Sequence, residues 1–326
     1  MQHLKSKSKA NLVTHSCTRL ESGSATITAL IVVGVSVVLM AGLMWRQQLQ
    51  VRTLENLRDR AQVIWLQHGI VDFARLVLAQ DGRTSQYDHL GEAWALPLAD
   101  SKVGDFLKNV DIPDELQSVT VQGRLTDAQG LFNLTNLWTN QFQGINAGGV
   151  AAYGRLLSAL GLDANLAQQT AQTVLQNQIP LVDLDGLANL PGYTPALIEK
   201  LRSHVAVLPI NTAINVNTAS AEVLMAAFAG LSRSAANNIV QFRTGAPMKA
   251  LDEITTLLTR AGAGSSVAVD GSLVNVKSQF WLARSEIRLG SGIFVNSALI
   301  QRSPTPLPSG TFTQVMWNKA VRILPE

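Results

Sequence analysis

The side chains that most often carry catalysis are few in this sequence, and they are not spaced to act together. Beyond residue 23 the histidines are His68, His89 and His204, which lie far apart along the chain. No G-x-S-x-G turn or phosphate-binding glycine loop accompanies them. Cys17 is the single cysteine, which excludes an intrachain disulfide bond and a cysteine-based zinc site. The sequence therefore predicts a protein that is not an enzyme.

The charges are distributed unevenly along the 326 residues. The first 23 residues carry Lys5, Lys7, Lys9 and Arg19 against Glu21, which is a net charge of +3. Subtracting this segment from the totals of 26 basic and 23 acidic residues leaves 22 of each in the remainder. The net positive charge of the protein therefore comes from its N-terminal segment. The rest of the chain has no excess of basic residues that would indicate binding of nucleic acid.

An uncharged apolar run follows this basic segment. No charged side chain lies between Glu21 and Arg46, and the run from Ala25 to Trp45 is 21 residues long. As a helix it would span roughly 31 Å, which is enough to cross a bilayer. Because the basic segment favours the cytoplasmic side, we expect everything after Arg46 to lie on the far side of the membrane. The sequence thus predicts a single-pass membrane protein.

Two kinds of processing are compatible with this start. A secretory signal peptide or uncleaved anchor is one, although its apolar core is usually shorter than this run. The other is cleavage after Gly23, because a basic leader that ends in glycine before an apolar helix resembles a type IV prepilin signal. The mature chain would then begin at Ser24 and carry Thr28 at its fifth position, where most pilin-like proteins have glutamate.

The helical pattern continues past the membrane segment. Apolar residues recur every three or four positions and predict one helix of about fifty residues that ends near Asp81 and Gly82. The stripe consists of Leu54, Leu57, Ala61, Ile64, His68, Val71, Ala74 and Leu78. We expect His68 to be a packed, hydrogen-bonded residue of the core rather than a ligand.

Short strand patterns flank a helical middle region. Residues 118–126 and 130–137 predict strands in the first half, and residues 280–289, 293–302 and 313–320 predict strands near the C-terminus. Between them, residues 139–267 have helical spacing and are rich in Ala, Leu, Gln and Asn. Strands at both ends imply one sheet interrupted by an all-α insertion.

Two segments of the insertion resemble helix-hairpin-helix units, and they raise an alternative function. Residues 187–196 and 223–232 each read as a helix, a glycine turn and a second helix, and Thr218 or Ser220 can cap the second unit. Together with the Asn-x-Asn-Thr-Ala-Ser motif, they resemble the DNA-binding hairpins of competence proteins. However, Thr194 and Ser232 replace the second glycine of each turn, and residues 140–267 hold seven basic and seven acidic residues. Weak affinity for phosphate is expected, so membrane-anchored DNA capture is the alternative rather than the preferred interpretation.

The whole pattern resembles the general secretion pathway protein K family of type II secretion. The resemblance rests on the prepilin-like start without glutamate, the DAQGLFNLTNL segment at residues 127–137, the INVNTA motif at 214–219 and the segment KSQFWLARSEIRL at 277–289. It implies an α+β fold: a pilin-like long N-terminal helix and antiparallel sheet with a large helix-hairpin-helix or SAM-like insertion. It also implies a minor pseudopilin at the pseudopilus tip, where it would initiate or cap assembly for protein export.

This resemblance also implies a domain order and a set of partners. The order is a prepilin leader at 1–23, a transmembrane and amphipathic helix at 24–80, a first pilin-like β part at 81–138, the inserted domain at 139–267 and a second β part at 268–326. The expected partners are minor pseudopilins of the I and J types, the major pseudopilin, prepilin peptidase, the membrane and a secreted substrate. No nucleic acid is expected.

Calcium enters through the resemblance alone. Members of the family usually carry an acidic loop associated with calcium after the second long helix of the insertion, and carboxylate oxygens are suitable ligands. In the matching stretch this chain retains only Asp183 and Asp185, whose alternation could equally place them on a solvent face or at a helix cap. We therefore expect no cofactor, with calcium at these two residues as the alternative.

The processing hypothesis predicts a defined N-terminus. In cells that contain prepilin peptidase, the native chain should begin at Ser24, and Gly23→Ala should leave the precursor at full length. N-terminal sequencing and gel mobility measure both results. Trimming of the Gly23→Ala variant would instead favour an ordinary signal peptide.

Overall fold

The computed structural model describes residues 21–106, 114–139, 143–178, 180–264, 267, 269–290 and 292–323. Most of the predicted leader, residues 1–20, lies outside the described residues. The chain divides into two compact units, of which the first ends at Ala61 and the second runs from Gln62 to Glu326.

Helix α1 extends from Glu21 to Thr84 and is 64 residues long. Its end agrees with the one predicted from the apolar stripe. Among the described residues, one helix is long and apolar enough to cross a membrane, and this segment of α1 begins at Ala25. The predicted cleavage site between Gly23 and Ser24 lies in the first turn of α1.

The buried side of α1 differs in part from the prediction. Val71, Ala74 and Leu78 are buried as expected. One turn earlier the buried residue is Gln67, and two turns earlier it is Val63. The predicted core residue His68 is exposed, so that prediction was wrong. The helix carries apolar residues on more than one side at positions 63–66, and spacing alone therefore could not decide which of them faces the sheet.

The remaining elements are short helices and strands around one larger sheet. The helices are α2 (Val103–Phe106), α3 (Asp114–Gln117), α4 (Ala147–Ala159), α5 (Asn165–Asn177), α6 (Pro195–Leu201), α7 (Ala221–Ala227), α8 (Arg233–Gly245) and α9 (Glu253–Arg260). The strands are β1 (Leu98–Lys102), β2 (Thr120–Asp127), β3 (Phe132–Asn133), β4 (Trp138–Thr139), β5 (Gly144–Ile145), β6 (Val205–Ala206), β7 (Ile214–Asn215), β8 (Val274–Asn275), β9 (Phe280–Leu289), β10 (Gly292–Arg302) and β11 (Thr313–Ile323).

The large sheet confirms the interrupted order expected from the sequence. Its five strands are arranged β1-β2-β9-β10-β11, and all neighbouring strands are antiparallel. Strand β2 pairs directly with β9, although more than 150 residues separate them, with Thr120 opposite Arg288 and Asp127 opposite Trp281. The intervening chain forms the helical region, so the sheet brings both ends of the insertion together.

The segment 130–137 is not the strand that its composition predicted. Only Phe132 and Asn133 are extended, and 3₁₀ turns lie on both sides of them. The Asp127 side chain accepts a hydrogen bond from the Gln129 N–H, and the Asn133 side chain accepts one from the Thr135 N–H. Such local bonds compete with a strand ladder, and they explain the turns.

The two helix-hairpin-helix units are present in the insertion. In the first, a 3₁₀ turn at Leu184–Asn189 precedes α6, and in the second α7 precedes α8. Gly192 and Gly230 have positive φ values of 87° and 80°, which suit glycine at these turns. The apolar cluster of this region runs from Phe132 to Val276. It therefore includes residues on both sides of the boundaries predicted at 138/139 and 267/268, and those boundaries stay predictions.

Candidate functional site

A fully buried carboxylate lies at the junction of the sheet and the insertion. Asp127 ends β2, and its Oδ1 accepts a hydrogen bond of 2.8 Å from the Gln129 N–H. Its Oδ2 accepts hydrogen bonds from Asn215 Nδ2 at 2.9 Å, Thr218 Oγ1 at 2.6 Å and Ser278 Oγ at 2.7 Å. Burial raises the pKa of Asp127, while these donors act in the opposite direction. One carboxylate thus joins three distant segments of the chain.

The INVNTA motif supplies two of these donors, and this role was not predicted. Asn215 Nδ2 also contacts the Asp88 carbonyl oxygen at 3.1 Å and Ser278 Oγ at 3.0 Å. Gly130 allows Thr218 to approach, because a Cβ at that position would lie 2.7 Å from Thr218 Oγ1. Ser220, rather than Thr218, caps α7 by accepting from the Val223 N–H.

The rest of the motif holds the insertion together internally. The Asn217 side chain donates to the Met248 carbonyl oxygen and accepts from the Met248 N–H, both at 2.8 Å. Arg243 is buried and donates to the Val216 carbonyl oxygen at 2.7 Å, and burial lowers the pKa of its guanidinium to about 10. The polar residues that resembled a DNA-binding signature are therefore used inside the fold.

A second charged group adjoins the Asp127 cluster. Arg302, at the end of β10, contacts both carboxylate oxygens of Asp88 at 2.6 and 2.7 Å and Asp81 Oδ2 at 2.6 Å. Its guanidinium carbon lies 4.3 Å from the centre of the Trp281 ring. Ser278 connects the two groups, because its N–H donates to Asp88 and its hydroxyl donates to Asp127.

Three carboxylates surround this single guanidinium. Asp81, Asp88 and Glu92 have oxygens within 4.8 Å of one another, which is compatible with metal binding by geometry alone. Arg302 pairs with two of the three. Burial and repulsion from Glu92 raise the pKa of Asp81 to about 6, although Arg302 lowers it. We interpret the group as an ion-pair cluster that joins the end of α1 to the sheet.

Asp183 and Asp185, the residues considered for calcium, each form an ion pair with a different basic side chain of the second unit. Asp183 pairs with Lys319 of β11 and caps the 3₁₀ turn at Leu184, which was one of the alternatives left open by the sequence. The hydrogen bond from Lys319 lowers the pKa of Asp183. Asp185 pairs instead with Arg202 at 2.9 Å. Calcium at these two residues remains untested.

The hairpin turns use their polar residues as helix caps. Thr194 Oγ1 accepts from the Leu197 N–H at 3.3 Å, and Ser232 Oγ accepts from the Ala235 N–H at 3.2 Å. At each turn a side chain thus occupies an amide at the start of a helix, where a DNA-binding hairpin would present amides to phosphate. This arrangement gives no support to the DNA-binding alternative.

An exposed apolar surface lies on the part of α1 that belongs to the second unit. Trp65, Phe73 and Leu76 have exposed fractions of 77%, 56% and 66%. Their spacing of eight and three residues places them within one face of the helix, together with Gly69. We call these four residues the outer face of α1. Large exposed apolar residues gathered on one face are typical of a protein interaction surface.

The ion-pair cluster predicts a large loss of stability on removal of Arg302. In Arg302→Met, buried carboxylates lose their cation, and we expect the free energy of unfolding of the full chain in detergent to fall by about 3–5 kcal/mol. Arg288→Met is the control, because Arg288 is half exposed and pairs with Glu286; its expected cost is below about 1 kcal/mol. Denaturant titration measures both. Equal losses in the two variants would contradict the structural role of the cluster.

Comparison with known proteins finds a matching family model and a similar protein. The family model described as "Type II secretion system (T2SS), protein K" matches residues 214–276, from the INVNTA motif to β8. Type II secretion system protein K of Pseudomonas aeruginosa (strain PAO1) is 28% identical, and the alignment covers 87% of this chain and 90% of that protein.

A solved structure shares the fold. It is the crystal structure of the GspK-GspI-GspJ complex from the type 2 secretion system of enterotoxigenic Escherichia coli. The match has a TM-score of 0.61 at 19% identity, and it covers 82% of this chain and 98% of the other. These findings confirm the family expected from the sequence and the pilin-like α+β fold. The chain is therefore similar to type II secretion system protein K over most of its length, and the match to the family model lies at residues 214–276.

Proposed function

We propose that this chain occupies the tip of the type II secretion pseudopilus, where it initiates and caps assembly for protein export across the outer membrane. Its N-terminal helix is held in the inner membrane, and its second unit lies in the periplasm. It acts through contact with other pseudopilins rather than through catalysis. Prepilin peptidase would release it by cleavage after Gly23.

The observation that carries the tip position is Thr28. In pilin-like proteins, a glutamate at the fifth mature position is understood to pair with the N-terminal amine of a neighbouring subunit, which offsets the cost of a carboxylate in lipid. In this chain the Thr28 hydroxyl donates to the Ala25 carbonyl oxygen of its own helix at 3.0 Å. A subunit without the carboxylate cannot make this contact with a subunit above it, which suits the first position.

The two apolar sides of α1 support a role in assembly. One side, which includes Val71 and Leu78, is buried against the sheet of the same chain. The outer face of α1 remains exposed, although Trp65, Phe73 and Leu76 are as large and apolar as residues of the core. We assign this face to the helices of neighbouring pseudopilins. The solved relative is a complex with GspI and GspJ, which supports minor pseudopilins of the I and J types as the first partners.

The insertion supports a cap rather than a shaft position. It is a bulky helical region fixed to the sheet through Asp127, and its basic and acidic residues balance at seven each. A region of this size would block addition of another subunit above it. We also propose that the chain contacts the major pseudopilin and a secreted substrate.

Copurification tests this function. The full chain, coexpressed with the I-type and J-type minor pseudopilins of its own secretion system, should be recovered with both. Leu76→Glu should reduce recovery at least tenfold, because a charge replaces an apolar contact on the outer face of α1. The control is Val182→Glu, which alters an equally exposed apolar residue of the insertion. If Leu76→Glu is recovered with its partners as well as wild type, the outer face of α1 is not the assembly surface.

A further inference from the structure

A cavity of about 90 Å³ lies between α1 and the large sheet in the second unit. Ile70, Phe73 and Val77 of α1 form one wall, and Trp94 and Leu96 from the segment before β1 form another. These wall residues are apolar, and they lie between the two core clusters that pack α1 onto the sheet. Arg124 of β2 and Arg284 of β9, whose side chains are exposed, also line the cavity. The cavity is thus a gap in the packing of the pilin-like body.

The floor of the cavity carries two polar side chains with unmet hydrogen bonds. Ser285 of β9 and Asn296 of β10 lie opposite each other in the ladder, and both line the cavity. Their exposed fractions are only 4% and 2%, and among the described residues Ser285 Oγ and Asn296 Oδ1 have no hydrogen-bond partner. Buried polar atoms are rarely left unpaired, because their loss of hydration is then not compensated. A group that enters the cavity would satisfy them.

The floor is also kept open by a small residue. Gly123 of β2 lies opposite Ser285, so Gly123, Ser285 and Asn296 form one row across three strands. A Cβ on Gly123 would meet only ordinary van der Waals contacts, of which the nearest is 3.5 Å. The glycine is therefore not required by close packing, and its effect is to leave room above the row.

The rim of the cavity adjoins the assembly surface proposed above. Phe73 lines the cavity and also belongs to the outer face of α1, while Leu96 on the opposite side is 71% exposed. A helix that packs on the outer face of α1 would therefore pass the mouth of the cavity. This continuity favours a side chain of a neighbouring pseudopilin as the occupant over a free ligand.

The chemistry of the site defines that side chain. The walls require an apolar body, and they disfavour a charged group because burial would remove its hydration. Asn296 Oδ1 accepts hydrogen bonds only, while a serine hydroxyl can donate or accept. The fitting group is thus an aromatic ring that ends in a hydrogen-bond donor. We propose that the cavity is a socket for a tyrosine side chain of a neighbouring minor pseudopilin, whose hydroxyl donates to Asn296 and contacts Ser285.

This inference rests on the proposed function, and one experiment separates the two. The full chain is titrated with the I-type and J-type partners of its own system, and the melting temperature of the chain alone is measured in parallel. In Asn296→Leu, the socket is filled and an unpaired polar group is removed. We expect a higher melting temperature for the chain alone together with at least a tenfold weaker affinity for the partners. A merely structural role would not weaken assembly while raising stability.

The matched control is Asn318→Leu, which makes the same replacement at an exposed position of β11. It should leave the affinity within about twofold of wild type, since surface substitutions have small effects. If Asn296→Leu does not fold, Ser285→Ala gives the same test, with an expected loss of at least threefold. In the partners, one exposed tyrosine should lose affinity when changed to phenylalanine, and this loss should be absent in the Asn296→Leu background.

The outcomes are distinct. If the wild-type chain binds its partners and Asn296→Leu binds them equally well, the cavity holds only water, and the socket proposal is overturned while the proposed function stands. If no tyrosine-to-phenylalanine change in the partners weakens binding, the chemistry assigned to the occupant is wrong. If the wild-type chain itself fails to bind, both proposals fail.

Discussion

The hydrogen bonding of one buried carboxylate, that of Asp127, is the constraint on which the architecture depends. The negative charge of this residue is unfavourable in the interior unless donors surround it, and the donors come from Gln129, Asn215, Thr218 and Ser278. These residues belong to the turn after β2, the INVNTA motif and the segment just before β9. The insertion can therefore dock in one arrangement only, because any other would leave Asp127 without its donors. The neighbouring Arg302 cluster extends the same connection to the end of α1.

This arrangement connects the fold with assembly. The sheet and the insertion are fixed to each other through these polar contacts and through an apolar cluster that includes Leu208, Phe280 and Leu299, while one apolar side of α1 covers the sheet. The outer face of α1 stays exposed, as the proposed assembly surface requires, and the cavity beside it is lined by two buried polar atoms that have no hydrogen-bond partner among the described residues. The proposed function in assembly requires an exposed surface of this kind.

The sequence predicted the parts of the fold that depend on periodicity. The C-terminal end of α1, the interrupted sheet and the two hairpins of the insertion follow from helical or alternating spacing and from glycine turns, although α1 is longer than the predicted fifty residues. The prediction of which side of α1 is buried near His68 was wrong, because apolar residues lie on several sides of that part of the helix. The predicted strand at 130–137 was wrong as well, since Asp127 and Asn133 form local hydrogen bonds that composition does not show.

The polar sites were harder to predict for a physical reason. Asp127, Ser278 and the INVNTA motif lie in the segments that identified the family, yet their shared role depends on contacts between residues up to 151 positions apart. Arg302 offered one local signal, as a charged residue that ends an otherwise uncharged strand. Nothing in the local sequence of Ser285 or Asn296 indicates that both would be buried and unpaired, because this follows from the register of β9 and β10.

Hydrogen exchange tests the central claim, that the Asp127 carboxylate joins the insertion and the sheet into one cooperative unit. The slowest amides of α7 and of β9 are compared in the full chain, for wild type and for Asp127→Ala. The account predicts that both sets open together with the same free energy in wild type, and that α7 opens separately and at least tenfold more often in Asp127→Ala. Independent opening of α7 and β9 in wild type, or unchanged exchange in Asp127→Ala, would contradict it.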